Sequence, residues 1–206
     1  MKFLLTINLI LSLFFFGYTD AQFSSEINPS RNRLGLGLDV SYKIDKQKKW
    51  SIYSHNLVAY HYHDNKTAFL IFNKLSYTFN SGIGFSANLV GKTHHFYPSV
   101  GLHFDKKINH TSIFVLITYP IDKNCYNETF LIFGYKYPVA KKFKFVSQSE
   151  FYASLQRWSH NYSVEKLKLG LEFHKTQTGF FNESAQNGGK FNLKTINFGW
   201  YLKQEF

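Results

Sequence analysis

Histidine is the first residue type in this chain to suggest chemistry, and there are nine of them. His61 and His63 stand two positions apart, which on a strand puts both on one face, and His94 and His95 are adjacent just before an apolar run. A metal centre needs three or four converging ligands held by a supporting shell. The chain has a single cysteine, Cys125, and no helical His-Glu pattern, so neither a metal site nor any cofactor is expected. A second grouping, Ser159, His160 and Glu165, holds a nucleophile, a base and an acid. Catalysis would need these to converge on one reacting atom, and their spacing does not impose that. No catalytic, cofactor-binding or metal site is assigned, and the protein is not expected to be an enzyme.

Polar residues that alternate with apolar ones are more informative. Asp39, Asn88, His103, Lys136, Gln148, Glu150, Lys168, Glu172 and Lys203 all stand opposite apolar positions in period-2 runs. From Leu34 onward the chain reads as strands and turns with no convincing helix. Leu34 to Ile44 is the cleanest strand, followed by Trp50–Tyr62, Phe69–Phe79, Ile83–Leu89, Phe96–Phe104, Ser112–Tyr119, Thr129–Tyr137, Phe143–Leu155 and Leu167–Phe173. The last, Ile196 to Phe206, alternates Ile196, Phe198, Trp200 and Leu202 with Asn197, Gly199, Tyr201 and Lys203. That makes about ten strands, each long enough to cross a bilayer at a tilt. Boundary shifts would make eight or twelve. Lys175 to Lys190, with Asn187-Gly188-Gly189, reads as the longest connection. Asn80-Ser81-Gly82 reads as a tight turn.

Met1 to Ala21 has Lys2, an apolar run over Leu9–Phe16 and small residues before Gln22, the layout of a cleaved secretory signal. Residues 22–206 then form one domain that keeps the formal charge of +11. One cysteine cannot form an intrachain disulfide, so the sheet must close or bury a core by other means. No later segment is a long enough apolar run for a spanning helix. With spanning helices excluded, only a closed sheet satisfies every backbone group in a membrane. The 23 Phe and 14 Tyr, many near strand ends, suit aromatic girdles at the headgroup level.

A closing strand that ends on Phe206, with Asn197, Gly199 and Leu202 at matching positions, resembles that of bacterial outer-membrane β-barrels. Gln204 departs from the pattern. The resemblance implies an antiparallel up-and-down transmembrane β-barrel in an all-β fold, with the final strand read by the barrel-insertion machinery. The Lys-, Asn- and Phe-rich composition is similar to that of secreted proteins of the Bacteroidota. Both termini would be periplasmic, which puts the Lys175–Lys190 connection outside and the Ser159–Glu165 junction on the periplasmic side. The His-x-Ser-Asn run of outer-membrane lipid A deacylases is absent. Lipid and lipopolysaccharide, met by Lys106, Lys107, Lys123, Lys141, Lys142 and Lys175 in turns, are the expected surroundings; nucleic acid is not. Short loops and a filled lumen point first to a structural or accessory subunit of an envelope assembly with other outer-membrane proteins. The alternative is a narrow pore or transporter for small solutes; a lipid-modifying hydrolase or a soluble lipid-carrying barrel ranks lower.

Overall fold

The computed structural model describes residues 21–206 apart from 64, 93–94, 123–124, 157–158 and 189–191. Met1–Ala21, expected from the sequence to be a signal, lies outside the described residues save for Ala21, as do His94, Lys123 and Trp158. The strands are β1 (Ala21–Pro29), β2 (Arg33–Lys43), β3 (Trp50–His61), β4 (Lys66–Thr78), β5 (Ile83–Lys92) and β6 (His95–Ile108). They continue with β7 (Thr111–Pro120), β8 (Asn127–Ala140), β9 (Phe143–Gln156), β10 (Ser159–Phe173), β11 (Thr176–Asn187) and β12 (Asn192–Glu205). Each pairs antiparallel with its sequence neighbours, and β1 pairs with β12 through Ser24–Glu205 to Ile27–Leu202, closing the barrel. Closure satisfies the edge groups that an open sheet would leave unpaired.

Twelve strands replace the ten expected from the sequence. One addition is β1, where Phe23 and Ile27 alternate with Ser24, Glu26 and Asn28. The other is β11, so Lys175–Lys190 is mostly strand rather than a loop. Its alternation is inverted: Phe181 and Ala185 point inward, while Thr176, Thr178, Asn182, Ser184 and Gln186 point outward with Phe180. A strand without an apolar outer face does not look like a membrane strand in sequence. Twelve is also even, so the termini still share one end. The added β1 swaps the ends of every later turn, however. Phe79–Gly82 now lies at the terminal end, and the β9–β10 junction at the opposite one.

Apart from the six-residue β2–β3 connection, turns at the terminal end are tight. Asn109-His110 and His174-Lys175 each reverse the chain in two residues, with Asn109 (φ 52°) and His174 (φ 55°) in the left-handed region. Gly82 (φ 94°) closes the β4–β5 turn by donating from its N–H to the Phe79 carbonyl at 2.9 Å. A Cβ there would lie 2.8 Å from the Asp105 carbonyl oxygen, so only glycine fits.

The two faces are the reverse of a soluble barrel. Outward positions on β5–β8 are almost uniformly apolar, with Phe85, Leu89, Val100, Leu102, Ile117, Leu131 and Phe133 all exposed. Inward positions carry Ser76, Asn88, His103, Thr118, Glu128, Lys168 and Glu172, all buried. At the terminal end outward aromatics touch in series: Trp50–Tyr77 at 5.1 Å, Tyr77–Phe79 at 5.1 Å, Tyr77–Phe85 at 5.5 Å and Phe143–Phe173 at 5.0 Å between ring centres. Tyr60–Tyr62 and Phe69–Phe96 make shorter arcs at the other end. This is an apolar band between aromatic girdles. Tyr97, although close to a strand end, points into the lumen rather than into a girdle. No helix among the described residues is long and apolar enough to cross a membrane.

Candidate functional site: the charged lumen

All nine polar positions singled out by alternation face the lumen, because strict antiparallel register carries one parity around the whole sheet. The centre of the polar wall is an ion-pair cluster. Lys168 on β10 reaches Glu26 on β1 at 2.7 Å and Glu150 on β9 at 2.9 Å, with Lys166 3.7 Å from Glu26. Gln148 donates to Glu150 at 2.9 Å. Beside it Asp39 accepts from Ser24 at 3.1 Å and Tyr53 at 2.9 Å, and lies 2.6 Å from His55 Nδ1. The partners come from β1, β2, β3, β9 and β10, so the cluster braces the wall on both sides of the β1–β12 seam.

Two further clusters stand nearer the mouths. At the terminal end Glu172 accepts from Lys136 and Lys144, both at 2.6 Å, and from Gln177 at 3.0 Å. Gln177 also donates to Glu205 at 2.9 Å. At the other end Glu128 is fully buried and accepts from Lys92, from Tyr97 at 2.5 Å and from Tyr152 at 2.9 Å. Arg33 pairs with Glu183 at 2.5 Å nearby. Buried carboxylates of this kind are tolerable only when several donors share each one.

The opposite wall mixes buried polar residues such as Ser76, Asn88 and His103 with an apolar cluster. Phe72, Val90, Tyr97 and Leu116 form a buried cluster with Leu70, Phe114 and Phe130 packed against it. Phe72 on β4 and Phe130 on β8 stand 5.4 Å apart between ring centres although three strands separate them. Side chains therefore meet across the lumen and constrict it at the waist. Lys74, also buried, lies over the Phe114 ring at 4.6 Å and the Tyr53 ring at 5.8 Å. Among the described residues no carboxylate lies within ion-pair distance of it. On the terminal side of the waist Lys43, Lys74, Lys107, Lys136, Lys144 and Lys203 face inward, against Asp39, Asp105, Glu172 and Glu205. The field in that half favours anions.

The residues that suggested chemistry do not assemble. His61 ends β3 and His63 lies in the following turn. Among the described residues no three metal-binding side chains cluster. Ser159 and His160 open β10, where His160 Nδ1 lies 2.6 Å from the Gly188 carbonyl and its Nε2 3.0 Å from Ser163 Oγ. Register puts Ser159 on the inward face and His160 and Glu165 on the outward one, and His160 bonds Ser163 and Gly188 rather than Glu165. Sequence reasoning missed Glu26, Lys166, Glu183 and Glu128 as lumenal residues. The first belongs to the unseen β1; for Glu183, the inverted alternation of β11 hid the strand.

No family model matches the chain, and no curated protein matches it. Among solved structures, the KdgM porin is 10% identical, covers 90% of this chain and 99% of its own, and superposes with a TM-score of 0.51. A KdgM porin in complex with disordered oligogalacturonate gives 0.53 at 10% identity, over 90% of this chain and 99% of that one. A NanC porin structure in a rhombohedral crystal form gives 0.53 at 9% identity, covering 89% and 98%. These likenesses concern architecture: a closed antiparallel barrel of the same extent.

Proposed function

We propose that this protein is a bacterial outer-membrane barrel that forms a narrow channel for small solutes, with a preference for anions. The observation that carries the reading is the lumen itself, lined by charges along its length, with lysines in excess in its terminal half. A barrel serving only as a brace gains nothing from unpaired cations such as Lys74, whose burial is costly. This favours a channel over the accessory-subunit role suggested first by the sequence. The complex of a KdgM porin with oligogalacturonate, an acidic saccharide, agrees in charge with such a lumen. Met1–Ala21 serves as the export signal in this reading. The termini face the periplasm, with the two-residue turns Asn109-His110, Lys141-Lys142 and His174-Lys175 on that side, as bacterial barrels have short periplasmic turns.

Purified barrel in a planar bilayer is the test. Small unitary conductance steps are expected, with a reversal potential under a salt gradient that reports anion preference. Lys74→Glu should move that potential toward cations without loss of folded protein. Absence of steps from correctly inserted barrel would refute the channel.

A further inference from the structure

The outward surface is not equally apolar all round. Across β9, β10, β11 and β12 the register aligns Ser149, Leu167, Asn182 and Phe198 in one row, and Phe151, Glu165, Ser184 and Ile196 in the next. Ser149, Glu165 and Asn182 are exposed and Ser184 half-buried. Glu165 lies eight residues along β10 from the girdle residue Phe173, which at about 2.5 Å of height per tilted residue is ~20 Å into a band ~25 Å tall. The next row up runs Ala153, Ser163, Gln186 and Leu193, of which only the apolar Leu193 is exposed. The carboxylate therefore sits inside the apolar band.

None of Glu165, Asn182 or Ser184 has a side-chain partner among the described residues. Outward polar residues on β3 and β4 differ: Asn56 donates to Ser54 at 3.1 Å, and Asn73, opposite Ser54, also has a partner. Hydrocarbon offers no donors or acceptors, so a protein surface must cover the β10–β11 wall. The stacked rings Phe180 and Phe198, 5.8 Å apart and each 61% exposed, border the patch and supply an apolar rim.

We propose that this wall is the interface for a second copy of the same chain, related by a two-fold axis along the membrane normal. The proposal rests on the outer-membrane reading above. The patch is self-complementary: Glu165 only accepts, while Asn182 and Ser184 carry donors one strand away. A two-fold sets Glu165 of each copy against Asn182 and Ser184 of the other, making every contact twice. Phosphate groups of lipopolysaccharide fit less well, since they would face a carboxylate.

The test places Ser184→Cys in a Cys125→Ser background in native outer membranes and applies a short bifunctional thiol reagent. Val100→Cys, on the uniformly apolar β6 wall, is the control. A species of twice the monomer mass is expected for Ser184→Cys and not for Val100→Cys. Glu165→Leu should shift the protein from dimer to monomer in native electrophoresis while keeping its resistance to urea. Absence of the cross-link, a cross-link to a different protein, or a dimer that survives Glu165→Leu overturns the proposal. Conductance read on the same material separates the two readings. Monomers with normal steps refute the dimer alone, and dimers without steps refute the channel alone.

Discussion

Replacing Lys168 with Met removes the cation at the waist while keeping much of its length. Its ammonium sits 2.7 Å from Glu26 and 2.9 Å from Glu150, and the residue is only 6% exposed. At an effective dielectric near 20, each contact is worth roughly 6 kcal/mol of Coulomb attraction, most of it offset by desolvation of the three ions. Breaking such a buried cluster by losing one partner costs about 3–5 kcal/mol, because the carboxylates stay behind. Lys166, 3.7 Å from Glu26, compensates in part, so the lower end, about 3 kcal/mol, is expected. Urea unfolding in detergent micelles, followed by tryptophan fluorescence, reads this directly. Adding Glu150→Gln to Lys168→Met should cost less than the sum of the single variants, with a coupling of about 1–2 kcal/mol. A single-variant loss below about 0.5 kcal/mol, or strict additivity, would mean that the waist is solvated like a surface and the constriction argument is wrong.

Other perturbations address the turns and the closing seam. Asp45 accepts from the Trp50 N–H at 2.6 Å in the β2–β3 turn; slight desolvation opposes ionisation there, but the surrounding backbone amides outweigh it and lower the carboxyl's pKa. A lowered pKa means stabilisation that is complete above the ordinary carboxylate range and lost as pH falls through the folded value. The difference in unfolding midpoint between wild type and Asp45→Asn should therefore be largest near neutrality and vanish in acid; a pH-independent difference would contradict it. Gly82→Val forces a β-branched residue into positive φ against the Asp105 carbonyl and should cost about 1–3 kcal/mol in the same urea assay, whereas Ser81→Ala beside it should change little. Deleting Phe206, whose N–H donates to the Phe23 carbonyl at 2.9 Å, should lower the amount of assembled barrel more than the urea resistance of what does assemble; normal outer-membrane levels would count against it.

Much of the barrel was legible because a membrane strand must show hydrocarbon one face and the lumen the other. Leu34–Ile44 and Ile196–Leu202 alternate so regularly that their inward residues could be named before any coordinate. The same rule explains both omissions. In β11 the outward residues Thr178, Asn182 and Ser184 are polar, so the run imitates a soluble loop; the feature that hid the strand also marks the wall proposed to meet a second copy. In β1 the alternation of Phe23 and Ile27 with Ser24, Glu26 and Asn28 is present, but it is short and follows directly on the apolar N-terminal run, so it does not stand out as a strand. Even parity survived the error, because two strands were missed. Sidedness did not, because only one of them preceded the turns in question.

Period 2 thus determines which residues share a face, since side-chain direction follows from the backbone alone. Partnership is a different matter. Glu26 and Lys168 are 142 positions apart and meet because β1 closes on β12, a register that no local pattern encodes. Phe72 meeting Phe130 across the lumen depends on barrel diameter, which depends on a strand count that the sequence understated by two. The faces came from local chemistry; the waist, its ion pairs and its bore came from closure.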